Sequence, residues 1–377
     1  MTIHRARSGS GPRVGLVLAV VAVAALGMAA CGQPVPQGSP NADATASAAE
    51  KPWSGLTGAA REKALLEQAQ KEGTLSVYSG YNDEKSMAEA FTKKYGIKVD
   101  VYNANSESVL QRVLQESKAD KSRNDVLINP SPDMQVAQSE GVLGSYDSEY
   151  RDAISAKGKG DLWTGVRRLA FVAGWNTDAA PTASIPDDYS GFADPAWKGR
   201  ISLELNDVDW YATVKQYYVD QGKSDQDIDR MFHTIASNAK VVKGHTVQGD
   251  LMAAGQFDVA MSVYSQTIER LLAKGAPVSY GVDGGHSVSP VVVRYDAGGV
   301  MAKTDNPAGA ALYLDFQLSE PGFAVDRQLG SLPPIPADNE PLAKATIVEL
   351  DVPAFVQDRT KLANEYEQLL RAGAKAG

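Results

Sequence analysis

The chain has 377 residues, a formal net charge of −9, four histidines and one cysteine. An acidic balance of this size argues against nucleic acid as a partner and against a polybasic surface that would grip anionic lipid. A single cysteine excludes an intramolecular disulfide.

In chain order, His4, Arg5, Arg7 and Arg13 precede an uncharged apolar run over 14–30 that ends at Cys31 and Gly32. Positive residues followed by a short apolar run have the form of a signal peptide, removed at residue 30. A spanning helix needs about 20 predominantly apolar residues. Met28-Ala29-Ala30-Cys31 resembles a bacterial lipobox, with Met28 where leucine is more usual. The resemblance implies that Cys31 takes lipid on its thiol and anchors an exported protein to the outer face of the cell membrane. Two or three acyl chains, at about 0.8 kcal/mol per buried methylene, hold durably where one is marginal. Cleavage after Ala30 removes Arg5, Arg7 and Arg13 and no acid, so the formal charge moves from −9 to −12. Residues 31–52 are small, polar and proline-bearing, which reads as a disordered tether reaching about 25 Å.

The folded body runs from about Trp53, long enough for two lobes with separate cores. A helix is expected over 57–71, a strand over 75–78, a helix over 83–95 and a strand carrying Ile97, Val99 and Val101. A helix over 106–117, a strand over 126–128 and a short helix over 132–140 follow. Strands joined by helices imply a parallel, doubly wound sheet. After the turn-rich stretch 176–198, a second set is expected: strand 201–205, helices 210–220 and 225–237, a strand at Val241, helix 247–254, strand 259–263, helix 267–274 and strand 278–280. Apolar strands over 169–175 and 290–295 flank this second set and read as two crossings between lobes.

The stretches EGTLSVYSGYN, WKGRISLELNDVDWYATV, VVKGHTVQGDLMAAGQFDVAMSVYSQTIERLLAKGAPV and NPAGAALYLDFQLSEPG resemble the bacterial extracellular solute-binding proteins of the ferric-iron transport type. The likeness covers about 72–332. It implies the α/β type II periplasmic binding fold, two doubly wound lobes joined by a two-crossing hinge, with ligand in the cleft between them. The expected division is 53–170 for the first part of lobe one, 171–288 for lobe two, 289–325 for the return, and 326–377 for a C-terminal helical segment. The implied role is the binding subunit of an importer, working with a permease and its ATPase and acting as a monomer. Receptors that hand a ligand-bound state to a membrane sensor share the fold, and the sequence does not separate the two.

Ligands of open α/β sheets sit beyond the carboxyl ends of strands. Strand 75–78 runs into Ser79-Gly80-Tyr81-Asn82, where hydroxyls and helix-terminal N–H groups suit an anion, or Ser79 and Asn82 simply cap the helix. Strand 201–205 runs into Asp207 and Trp210. Lys243-Gly244-His245-Thr246 precedes a helix expected near Val247, with His245 a candidate ligand and Thr246 a cap. Tyr264 and Gln266 leave strand 259–263, and Arg294 on the return could clamp an anion bidentately. The iron-binding members of the family carry an adjacent tyrosine pair after this strand, and here Gln266 and Thr267 stand at those positions. Ferric iron favours anionic oxygen, which neither residue supplies. Tyr81, His245 and Tyr264 are the remaining candidates for a metal. The cargo is therefore ferric iron or a small organic anion, and no cofactor is expected. No GxSxG elbow, HExxH, Walker loop or cysteine nucleophile is present, so no enzyme is expected, carboxylate-only hydrolysis being the one route left.

Overall fold

The computed structural model describes residues 51–281 and 285–376. The expected signal peptide, Cys31 and the tether up to residue 50 lie outside the described residues. Alternation begins as the periodicity predicts: α1 (Gly58–Glu72), β1 (Leu75–Ser79), α2 (Glu84–Tyr95), β2 (Val99–Asn103), α3 (Ser106–Lys118), β3 (Val126–Pro130) and α4 (Ser131–Ser139). Helix α2 buries Met87, Phe91 and Tyr95, four residues apart, and stops at Gly96, whose φ of 72° an L side chain rarely adopts. β1 lies parallel to β2 on one side and β3 on the other, with Val77 opposite both Val101 and Val126.

β4 (Thr164–Asn176) leads into β5 (Ile201–Glu204), α5 (Val208–Asp220), α6 (Asp225–Asn238), β6 (Ala239–Val242), α7 (His245–Ala253), β7 (Val259–Tyr264), α8 (Ser265–Leu272) and β8 (Val278–Ser279). β9 (Val291–Val300), α9 (Pro307–Gln317), α10 (Glu320–Gln328), β10 (Ile347–Glu349) and α11 (Val352–Ala376) complete the described chain. One sheet runs β2-β1-β3-β9-β4-β7-β5-β6, with β10 added beside β9 and β8 beside β4. Its two wings are parallel, and an antiparallel pair joins them. β4 is buried at all 13 positions. Its first half pairs with β9, from Thr164 opposite Gly298 to Phe171 opposite Val292. Its second half pairs with β7, from Phe171 opposite Tyr264 to Trp175 opposite Val259. Both crossing strands are thus continuous through the middle of the molecule.

Two places differ from expectation, the first in the C-terminal segment. Pro333, Pro334, Pro336 and Pro341 exclude a helix directly after α10, and Ile347-Val348-Glu349 adds a strand parallel to β9. The long helix begins only at Val352. It lies across both wings, giving Val352 and Phe355 to the core around Leu127, and Tyr366, Leu369 and Leu370 to the core around Trp175 and Trp210. At about 1.5–3 kcal/mol for each large apolar side chain buried, this is a strong strap. The second difference is the start of α7. Gly244, with φ at 93°, makes the turn and caps the helix, so Thr246 lies inside the first turn, exposed, rather than at the cap. Among the described residues no helix is long and apolar enough to cross a membrane.

Candidate functional site

On the first wing the end of β1 is packed tightly. Ser79 is wholly buried; its Oγ accepts the Tyr81 N–H at 3.0 Å and donates to Glu84 Oε2 at 3.4 Å. Gly80 must be glycine, because an added Cβ would lie 2.6 Å from Asn129 Oδ1 and 2.9 Å from Ser106 Cα. Asn82 is exposed. The Tyr81 ring lies under the Arg167 guanidinium, with Cζ 3.8 Å from the ring centroid. Its hydroxyl donates to Ser331 Oγ at 2.9 Å, and Ser331 donates in turn to Gln266 Oε1 at 2.8 Å. Burial holds the Tyr81 phenol well above its ordinary pKa, against the pull of Arg167.

Arg167 itself is fully enclosed. Its Nε donates to Asp326 Oδ1 at 3.1 Å and its Nη2 to Gln317 Oε1 at 3.0 Å, while Nη1 stands 3.7 Å from Glu84 Oε2. One guanidinium therefore faces two buried carboxylates. Burial pushes Asp326 up to about 7 and raises Glu84 as well, although Arg167 opposes both shifts.

On the second wing the ends of β5 and β6 bring three side chains together. Glu204 closes β5, Asp207 stands at the N-cap of α5 without capping it, and His245 opens α7. His245 Nε2 is 2.8 Å from Asp207 Oδ1. Glu204 accepts the Gly244 N–H through Oε1 at 2.8 Å and the Asn206 N–H through Oε2. Donor atoms of Glu204, Asp207 and His245 all lie within 4.8 Å of one another. Burial disfavours a charged His245, yet its hydrogen-bonded neighbour Asp207, with Glu204 and Asp209 nearby, prevails and raises its pKa. The imidazole stacks on the Tyr264 ring at 3.6 Å between centroids, and Phe171 meets both edge-on. Burial also raises the Tyr264 phenol.

The remaining candidates have structural partners. Arg294 Nη1 donates to Asp209 Oδ2 at 2.6 Å and its Nη2 lies 4.0 Å from Asp296. Trp210 is fully buried between Tyr189 and Phe232. Gln266 meets Ser331 as described, whereas Thr267 is buried against Gly249. Tyr218 is likewise core, its hydroxyl donating to Asp188 at 3.2 Å. His245 and Tyr264 are therefore brought together, and Tyr81 meets Gln266 through Ser331. Glu204, Asp209 and Ser331 escaped the sequence reading. A carboxylate ending an otherwise apolar strand was the available signal for Glu204; Ser331, in a loop after α10, offered none.

Joined parallel wings whose strand ends face each other define a two-lobed solute-binding protein. The chain matches the family profile described as bacterial extracellular solute-binding protein over residues 86–345, and it belongs to that family. These are substrate-binding transport proteins, exported from the cytoplasm, and not a family of enzymes. Among curated relatives, Iron uptake protein A1 of Synechocystis sp. is 22% identical over 264 residues, 66% of this chain and 72% of that protein. The Fe(3+)-binding periplasmic protein of Serratia marcescens is 24% identical over 177 residues, 46% of this chain and 51% of its own length. Among solved structures, iron-bound HitA from Pseudomonas aeruginosa superposes with a TM-score of 0.64 at 18% identity, covering 81% of this chain and 99% of that one. AfuA from Actinobacillus pleuropneumoniae, with exogenous fructose-6-phosphate bound, gives 0.64 at 20% identity over 79% and 99%. The fold is that of the type II periplasmic binding proteins. The chain is a bacterial extracellular solute-binding protein.

Proposed function

We propose that solute is captured where the strand ends of the two wings meet, and that the wings open and close by bending β4 and β9. The hydrogen-bonded chain Tyr81–Ser331–Gln266 carries this reading, because it joins the end of β1 to the start of α8 across the division. Arg270 on α8 also pairs with Asp83 at the start of α2. Solution scattering tests it. Protein stripped of co-purified solute should have a larger radius of gyration than loaded protein, and loading should raise the melting temperature by mass action. A solute that changes neither would refute the reading.

The cargo is better matched to positive charge than to a bare anion on the second wing. Arg294 is committed to Asp209, and Glu204, Asp207 and Asp209 crowd the same region. Ferric iron held by a phenolate pair is disfavoured by Gln266 and Thr267. Mass spectrometry with metal analysis of protein purified without chelator identifies the cargo. In the same reading Cys31 carries the lipid anchor, supported by the small residues before it, and the tethered monomer docks on a permease served by an ATPase.

A further inference from the structure

We propose that Glu204, Asp207 and His245 form a binding site for a divalent first-row transition metal ion, built without phenolates. The proposal rests on the second wing's strand ends being a solute site and gives that site its ligand class. Three observations carry it. The donors are two carboxylates and one imidazole, a set that suits borderline and hard divalent ions such as Mn²⁺, Fe²⁺, Co²⁺ or Zn²⁺. They come from three rigid positions: the last residue of β5, the N-cap of α5 and the first residue of α7. The register of β5 against β6, Glu204 opposite Val242, brings the two loops side by side.

The second observation is proximity. One donor atom from each residue lies within 4.8 Å of the others. Donors around an ion at about 2.0–2.2 Å are roughly 3–4 Å apart, so small side-chain rotations complete the site.

The third observation points to a ligand independently. Asp207 is 2% exposed, and its Oδ2 has no hydrogen-bond partner among the described residues. A buried carboxylate oxygen without a donor loses its hydration with nothing in return. The arrangement is explained if a cation is the missing partner. A structural Asp–His pair alone would leave Oδ2 unexplained.

The test uses the full chain, stripped with chelator and then titrated with Zn²⁺ or Co²⁺ alone. One equivalent should bind, and bound Co²⁺ should show the visible d–d bands of a site with nitrogen and oxygen donors. His245→Gln and Asp207→Asn should each weaken binding by at least about tenfold to hundredfold, the loss seen when even outer-shell partners are removed. Both variants must retain wild-type circular dichroism. Glu204→Gln is the poorer variant, because Glu204 also holds the Asn206 and Gly244 amides. Thr246→Ala, exposed in the same turn, should bind as wild type. Absence of metal binding, or equal binding by His245→Gln and Asp207→Asn, overturns the assignment. If co-purified solute still closes the wings in those variants, the metal site fails while the solute-binding reading stands. If neither metal nor solute changes the scattering, both fail.

Discussion

The buried cluster beneath Tyr81 makes a pH-dependent prediction. Arg167 can offset one of the two carboxylates facing it, Glu84 and Asp326, and Asp296 adds further negative potential. A fully buried uncompensated carboxylate is expensive, so the pair retains a proton in the folded state. Asp326 moves from 3.8 to about 7. At about 1.36 kcal/mol for each pH unit, that is at most about 4 kcal/mol. The sign follows from the direction. A carboxyl that holds its proton more tightly when folded contributes stability present below pH 4, and this is lost as pH rises to about 7.

Asp326→Asn isolates the effect, since the amide keeps an acceptor for Arg167 Nε and cannot titrate. Urea unfolding at a series of pH values gives the stability of each protein, and the informative quantity is wild type minus variant. That difference should fall by up to about 4 kcal/mol between pH 4 and pH 7 and then level off. Because the proton belongs to a coupled pair, Glu84→Gln should also reduce the slope. A difference independent of pH in both variants, or one that grows with pH, would refute the reasoning.

Three further outcomes follow from single residues. Cys31→Ser should move the protein from the membrane fraction to the medium with the circular dichroism unchanged; retention in the membrane fraction would count against lipidation. Gly80→Ala drives a Cβ against Asn129 Oδ1 and the Ser106 backbone, so denaturation should show a loss of about 1–3 kcal/mol, and an unchanged midpoint would mean that the turn yields freely. Tyr264→Phe keeps the stack on His245 and removes only the hydroxyl. Calorimetric affinity for an oxygen-bearing solute should fall by about 1 kcal/mol, and ferric iron should produce no strong visible phenolate band in the wild type; an intense band lost in the variant would show that phenolates do bind the metal.

Much of the fold was legible because apolar spacing alone defines it. Trp210, Val214 and Tyr218, four residues apart, already mark the core face of α5, and all three are buried. Its place beside a strand end nevertheless makes Trp210 a candidate ligand contact in the sequence, where this spacing points to the core. The first five residues of β4 were missed for the opposite reason. The adjacent Arg167 and Arg168 carry no apolar signal, and one meets Asp326, 159 positions away, the other Glu340, 172 positions away. No local pattern announces such partners. His245 was visible as a residue, whereas its pairing with Asp207, 38 positions earlier, depends on β5 and β6 lying side by side.

The two wings are built on different electrostatics, and in the proposed reading this limits what can bind. On the first wing the groups beyond the end of β1 are neutral: Tyr81 is held as a phenol, and Ser331 is fixed by its backbone N–H donating to the Asp326 carbonyl at 2.9 Å. The charges there are buried beneath, where they position the ring through the Arg167 stack without facing the solute. On the second wing, at the strand ends proposed above to hold solute, carboxylates outnumber cations: Glu204, Asp207 and Asp209 gather there with Arg294. A bare anion would meet Glu204, Asp207 and Asp209 with the nearest guanidinium already paired, at a desolvation cost that one hydroxyl cannot offset. A cation suits this arrangement: in the proposed reading its charge faces the acidic strand ends, while the first-wing hydroxyls stay committed to the Tyr81–Ser331–Gln266 chain. Reducing the negative charge of the second wing, by Asp207→Asn with Asp209→Asn, should therefore weaken a cationic cargo and release Arg294 from Asp209, leaving Asp296 at 4.0 Å beside it, so that competition binding with inorganic phosphate would reveal a gain for an anion. Phosphate binding equally in both proteins would show that the acidic strand ends do not govern selectivity.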